Sequence, residues 1–351
     1  MEAFKAAPPG EYKKKTGSLA GESEAGDAPG GLGRLFRAPL LEEFLGINEI
    51  HIEYEGINPT GTHKDRIAMA HAKRAREEGF SGITVGTCGN YGVAIASYAR
   101  LFGLRAYIFV PEGYTLERLP EMRALGAEVI MVSGTYEDAV EASRRFAVEM
   151  NVYDANPGSK RDVDFTAYSL LAEQILERVQ PDAVFVPLGN GTTLAGLGEG
   201  FKERGARPRM IGVTTAFGNE VLRRFHGDSN EDFAETALNE PLVSGRSFDR
   251  DAALLAVMNS NGYVFGFADD TALRCSEVLH LTTGLKIMPA SALTLAGLVK
   301  FVVKFGIRKG KFVLLLTGGV DSGRGTRPYR GALSDLRWEN GPRARALFQD
   351  V

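Results

Sequence analysis

Lys64 stands in the run Asn58-Pro59-Thr60-Gly61-Thr62-His63-Lys64-Asp65-Arg66, whose residue types and spacing could make a reactive amine. Asn-Pro and Thr-Gly are turn signals, and a helical pattern follows from Asp65 to Glu78. Thr62 is placed to cap that helix, with Asp65 three residues on as the acidic partner. Lys64 then falls in the first turn, where free N–H groups and the helix dipole already make a positive field. A protonated lysine is electrostatically poor there. A desolvated amine, or one tied up as an imine, avoids the repulsion, and a lowered pKa is what a nucleophilic amine needs. The same residues also fit a plain surface lysine beside a helix start.

Three further segments could hold a ligand. Gly86-Thr87-Cys88-Gly89-Asn90-Tyr91-Gly92 follows a strand pattern and opens a helix, so its N–H groups make an anion site. Its G-x-x-G-x-x-G spacing is not the G-x-G-x-x-G of a dinucleotide turn. Cys88 could have a lowered pKa at the helix start, or be a small buried residue. Gly189-Asn190-Gly191-Thr192-Thr193 repeats the strand-to-helix arrangement; its small residues let an anion approach the backbone, and its hydroxyls add donors. Thr317-Gly318-Gly319 follows an apolar run, and the C-terminal ends of parallel strands line ligand crevices. Each segment also reads as a tight turn without ligand.

The elements that must position these residues alternate. Strands are expected at Glu49 to Tyr54, Ile83 to Val85, Ala106 to Val110, Glu128 to Val132, Val152 to Asp154, Ala183 to Val186, Met210 to Thr214 and Phe312 to Leu316. Helices are expected at Leu40 to Leu45, Asp65 to Glu78, Tyr91 to Phe102, Thr115 to Leu125 (bent or shortened by Pro120), Tyr136 to Met150, Phe165 to Val179, Leu194 to Arg204 and Pro289 to Phe305. Continuous apolar strands alternating with helices predict an α/β fold of two three-layer αβα lobes, with mainly parallel sheets and an active site in the cleft between them. The expected division is an irregular arm over 1–33, a large domain over 34–63 and 155–351, and a small domain over 64–154.

The chain has 351 residues, 44% hydrophobic and 24% charged, with a net charge of −3. That length can bury a large core, and the charge gives no reason to expect nucleic acid or an anionic membrane as partner. No apolar run of about 18 residues suggests a membrane span, and the N-terminus lacks the apolar core of a signal peptide. Two cysteines, Cys88 and Cys275, make neither a metal cluster nor a disulfide framework. A soluble cytoplasmic protein is the expectation.

Asn-Pro-Thr-Gly-x-x-Lys-Asp-Arg resembles the cofactor-lysine motif of threonine synthase and its relatives, the fold-type II pyridoxal 5'-phosphate enzymes. The resemblance runs in order from about Leu35 to Asp321. It implies that Lys64 carries pyridoxal 5'-phosphate as a Schiff base and acts as general base, and that His63 contacts the cofactor phosphate, as in the tryptophan synthase β-subunit. It implies a phosphate cup at Gly189, Asn190, Gly191, Thr192 and Thr193, and it places Asn90 on the cofactor's phenolic oxygen and Thr317 on its pyridine nitrogen. The substrate α-carboxylate falls to Thr87, Cys88, Gly89, Asn90 and Tyr91. A hydroxyl beside the pyridine nitrogen makes the cofactor a moderate electron sink, suited to β- or γ-elimination and replacement on an amino acid. A phosphorylated substrate such as O-phosphohomoserine or O-phosphoserine is expected, with Lys160 and Arg161 as candidate ligands for its phosphate. Cysteine synthase-like replacement, serine or threonine deamination, and a non-catalytic binding or regulatory subunit are the alternatives. A homodimer is implied, with Trp338 to Phe348 as a candidate interface segment. The chain departs from the family at Met288, at Thr283-Gly284, at Val320-Asp321-Ser322 and over Gly158 to Thr166, where no Gly-x-Lys-Thr follows Asn156-Pro157.

Overall fold

The computed structural model describes residues 32–87, 89–112, 117–228 and 235–320. In chain order the elements are β1 (Leu35–Arg37), α1 (Pro39–Leu45), β2 (Ile50–Tyr54), α2 (Lys64–Glu77), β3 (Gly82–Gly86), α3 (Asn90–Phe102), β4 (Arg105–Pro111), α4 (Leu119–Ala124), β5 (Glu128–Val132), α5 (Tyr136–Glu149) and β6 (Tyr153–Asp154). There follow α6 (Arg161–Leu176), β7 (Ala183–Pro187), α7 (Thr192–Glu203), β8 (Arg209–Thr215), α8 (Glu220–His226), α9 (Arg250–Asn259), β9 (Tyr263–Phe267), α10 (Asp269–Thr283), α11 (Pro289–Phe305) and β10 (Phe312–Leu316).

These strands make two sheets. The larger has the order β1-β2-β10-β7-β8-β9, and the smaller β5-β4-β3-β6. All pairings are parallel except β1 on β2, which is antiparallel. Parallel sheets need both faces covered, which explains why β3, β7 and β10 are buried at every residue. One core joins Ile52, Phe185 and Leu314 of the larger sheet to Leu295 and Phe301 of α11. On its other face Val184, Val186 and Leu315 pack with Leu171 of α6 and Leu197 of α7. Ile83 and Ile108 of the smaller sheet pack with Ile67 and Ala72 of α2 and Val93 and Ile95 of α3.

Strand adjacency does the positioning. β2, β10 and β7 are neighbours and run the same way, so the turns leaving their C-terminal ends emerge together. Those turns carry Lys64, Thr317 and Gly189.

Several boundaries differ from the sequence reading. Of the two expected effects of Pro120 the structure shows shortening, not bending: α4 begins at Leu119 with Pro120 in its opening turn, where the missing N–H is not needed, and residues 113–116 lie outside the described residues. α6 starts at Arg161 rather than Phe165, because the Lys160 carbonyl already accepts from Val163 and Asp164 N–H. Thr62 does cap the start of α2, its hydroxyl accepting from the Lys64 N–H at 3.3 Å, but not as a reciprocal capping box with Asp65. Asp65 Oδ2 accepts chiefly from the Thr60 N–H at 3.1 Å and the Thr60 hydroxyl at 2.8 Å. The elements α8, α9, β9 and α10 had no strong sequence signal. Residues 1–31 of the arm, Cys88, and the Trp338 to Phe348 segment lie outside the described residues.

Candidate active site

Two anchors hold the start of α2 and place Lys64 between them. On one side Asp65 ties back to Thr60. On the other, buried Arg66 donates Nε and Nη2 to the two oxygens of Glu55 at 2.8 and 2.7 Å, and Nη2 also donates to Gln174 Oε1 at 2.7 Å. Lys64 between these anchors lines a cavity of about 380 Å³. Its Nζ lies 5.7 Å from the centre of the Tyr91 ring. Burial pulls its pKa down from 10.5 to about 8, against the opposing pull of the Asp164 and Asp249 carboxylates. An amine so placed is partly free base near neutral pH.

His63 packs beside it. Its backbone N–H donates to the Thr317 carbonyl at 2.8 Å, its Nδ1 lies 3.2 Å from the same oxygen, and its ring stacks on Tyr168 at 5.6 Å. Burial first, and then the neighbouring Lys64, hold its pKa well below the usual imidazole value.

The turn after β7 forms a glycine-lined cup. Gly191 sits at φ +93°, in the left-handed region, at the head of α7. A Cβ there would come within 2.8 Å of Ala253 Cβ, and one on Gly189 within 2.8 Å of the Pro241 carbonyl oxygen. No side chain caps the first turn of α7, which leaves its N–H groups available to an anion. The cup is held from behind. Thr192 Oγ1 donates to Asp249 Oδ2 at 2.7 Å, and Ser244 Oγ donates to Asn190 Oδ1 at 2.9 Å. Asn219 Nδ2 reaches the Leu188, Gly189 and Leu242 carbonyls at 3.1, 3.2 and 2.8 Å. The small residues, bare N–H groups and nearby amine fit a phosphate-bearing aldehyde such as pyridoxal phosphate.

Thr87, Gly89, Asn90 and Tyr91 form part of the same wall, as do Thr193 and Thr317. Gly89 N–H donates to Thr87 Oγ1 at 3.3 Å. Asn90 Oδ1 accepts from Arg118, which is itself paired with Glu121. The Tyr91 hydroxyl donates to the Ala155 carbonyl at 2.9 Å, which braces the turn from behind. Thr317 and Ser291 hydroxyls bond to each other. Lys160 and Arg161 are not in the wall. Lys160 Nζ lies over the Tyr153 ring at 5.7 Å. Arg161 donates Nε to Asp249 Oδ1 at 2.8 Å and Nη2 to the Phe248 carbonyl at 2.7 Å. The sequence assigns no role to Asn219, Ser244 or Asp249, which are far from the motifs and have no local signature, nor to Asp164 within the 158–166 segment; Met288, a departure from the family turn, also lines the cavity.

A family model described as "Pyridoxal-phosphate dependent enzyme" matches residues 30–318. The chain belongs to this family. It is 30% identical over 290 residues to the threonine synthase of Bacillus sp. (strain ULM1), covering 80% of each chain. It is 28% identical over 302 residues to the threonine synthase of Methanocaldococcus jannaschii, covering 81% of this chain and 73% of the other. Among solved structures it is similar to the O-acetyl serine sulfhydrylase isoform 3 of Entamoeba histolytica, with a TM-score of 0.72 and 18% identity over 92% of this chain and 93% of that one. It is also similar to the processed form of threonine deaminase isoform 2 from Solanum lycopersicum, with a TM-score of 0.70 and 19% identity over 85% of each chain. Those structural likenesses establish the fold, which is that of the fold-type II pyridoxal-phosphate enzymes.

Proposed function

We propose that the cavity is the active site of a threonine synthase-like lyase or synthase, which carries out β- or γ-elimination or replacement on an amino acid. The observation that carries the reading is the buried Lys64 amine in one cavity with the glycine cup and Thr317. The cup at Gly189–Thr193 would hold the cofactor phosphate and Thr317 would face its ring nitrogen. Pyridoxal phosphate, when bound, supplies an electron sink for negative charge left at the substrate Cα. Lys64 Nζ takes the Cα proton as general base, which a pKa near 8 suits. The Gly89–Asn90 turn at the head of α3 would hold the substrate carboxylate, and Tyr91 holds that turn on the 155 carbonyl.

The relatives named threonine synthase support this class of reaction. Lys160 and Arg161, expected as phosphate ligands of the substrate, lend no support to a phosphorylated substrate, since both stand outside the cavity wall. A cytoplasmic homodimer is part of the same proposal and has the family resemblance alone as support; no described helix is long and apolar enough to cross a membrane.

The test is spectroscopic and kinetic. Purified enzyme should bind pyridoxal phosphate with a visible absorbance band that disappears in Lys64→Ala, and should turn over at least one of O-phosphohomoserine, O-phosphoserine, serine and threonine. A Lys64→Ala protein that keeps the band and the turnover would refute the assignment.

A further inference from the structure

Asp164 is an acid in the cavity wall that the proposed reaction does not use. It lies in the first turn of α6 and is 1% exposed. His71, fully buried on α2, holds one of its oxygens: His71 Nε2 is 3.0 Å from Asp164 Oδ1, and His71 Nδ1 is 3.2 Å from the Tyr153 hydroxyl. The second oxygen, Oδ2, is buried and has no hydrogen-bond partner. A buried carboxylate oxygen left bare is unfavourable. In the wall of a cavity it is an acceptor that a bound molecule can satisfy.

The charges around it have one dominant sign. Glu137, Glu235 and Glu240 also belong to the wall, while among the described residues Lys64 is its one lysine or arginine. His63, the one histidine there, is held toward its neutral form by burial. Arg118 is engaged with Glu121 and Asn90, and Arg161 with Asp249. The cofactor would bring a phosphate of its own to the cup. A second phosphate, carried by the substrate, would meet a wall that holds Asp164 and these acids, with Lys64 as its one lysine or arginine among the described residues.

Resting on the elimination or replacement reading, we propose that Asp164 selects an amino-acid substrate whose side chain ends in a hydrogen-bond donor and disfavours one that ends in a phosphate. A substrate hydroxyl or ammonium donates to Oδ2. His71 is the positioning residue, fixing the carboxylate through Oδ1. Rejection comes from like charge in a confined site, which discriminates by penalising the wrong ligand rather than by improving the right one.

Isothermal titration calorimetry on the cofactor-loaded enzyme decides it. L-Homoserine is compared with O-phospho-L-homoserine, and L-serine with O-phospho-L-serine; each pair differs only in the phosphate. L-2,4-Diaminobutyrate separates an ammonium donor from a hydroxyl. The unphosphorylated partner should bind about tenfold or more tightly, and Asp164→Asn should cut that ratio by about the same factor, mainly by tightening the phosphorylated ligand. A phosphorylated partner that binds as well or better in the wild type overturns the proposal, and so does an unchanged ratio in Asp164→Asn. If that variant does not fold, the wild-type pairs decide alone. Cofactor content is read by absorbance on the same samples. Protein that takes up no cofactor overturns both readings, whereas loaded enzyme that prefers the phosphate esters overturns this one only.

Discussion

Asp249 accepts the Thr192 hydroxyl proton through Oδ2 at 2.7 Å, so a carboxylate stands directly behind the glycine cup. An anion there opposes the binding of a phosphate. Arg161 offsets it, donating to the other oxygen at 2.8 Å. Arg161 thus acts on the cup from outside the cavity, although its place in the sequence suggested a substrate ligand.

Arg161→Ala should therefore weaken pyridoxal phosphate binding a few-fold while leaving the KM ratio between phosphorylated and unphosphorylated substrates unchanged. The effect should shrink at high salt, because the Arg161 side chain is 57% exposed and its charge is screened. Equilibrium titration of the cofactor at two salt concentrations measures it.

Gly191→Ala should lower both stability and cofactor affinity. The left-handed backbone and the 2.8 Å approach to Ala253 Cβ add to one another, and the strain in the backbone alone costs about 1–2 kcal/mol. Urea unfolding of cofactor-free protein, followed by cofactor titration, separates the two effects.

Lys64 makes stability depend on pH. In the folded protein its pKa is about 8, against 10.5 ordinarily. Below the lower value both folded and unfolded states hold the proton, and the folded state bears the full penalty, on the order of 3 kcal/mol. Above the higher value neither state holds it and the penalty vanishes. Cofactor-free Lys64→Met should thus be more stable than wild type at pH 7, with the gap closing between about pH 8 and 10.5. Denaturant unfolding at a series of pH values checks the sign; a gap that widens with pH would rule out the buried amine.

Asn156→Ala should destabilise the Gly86–Tyr91 turn. Asn156 is fully buried, its Oδ1 accepts from Gly86 N–H at 2.7 Å, and its Nδ2 donates to Ser143 Oγ at 2.9 Å and Asp154 Oδ1 at 2.7 Å. Leaving those groups unpaired costs about 1–3 kcal/mol. Thermal unfolding should register the loss, and slowed hydrogen exchange at Gly86 should be lost with it.

Residues near one another in the chain could be read without coordinates. The strand into Asn58, the amine at Lys64, the glycine-rich turns at 86–92 and 189–193, and the Thr317 turn all rest on local periodicity and turn chemistry, which act over a few residues. Even so, local rules left out a partner of Asp65: the fold of the turn adds the Thr60 hydroxyl and N–H to its carboxylate, while Thr62 caps α2 through the Lys64 N–H.

The tertiary structure decided which side chains meet in space. The neighbouring order of β2, β10 and β7 gathers three turns that lie up to about 250 residues apart in the chain. The same packing brings Asp249 behind Thr192, sets Asn219 under the 188–189 carbonyls, and leaves one oxygen of Asp164 without a partner. Those charges and acceptors belong to no motif, because their meaning arises only where burial strips away water and the sheet order supplies the neighbour.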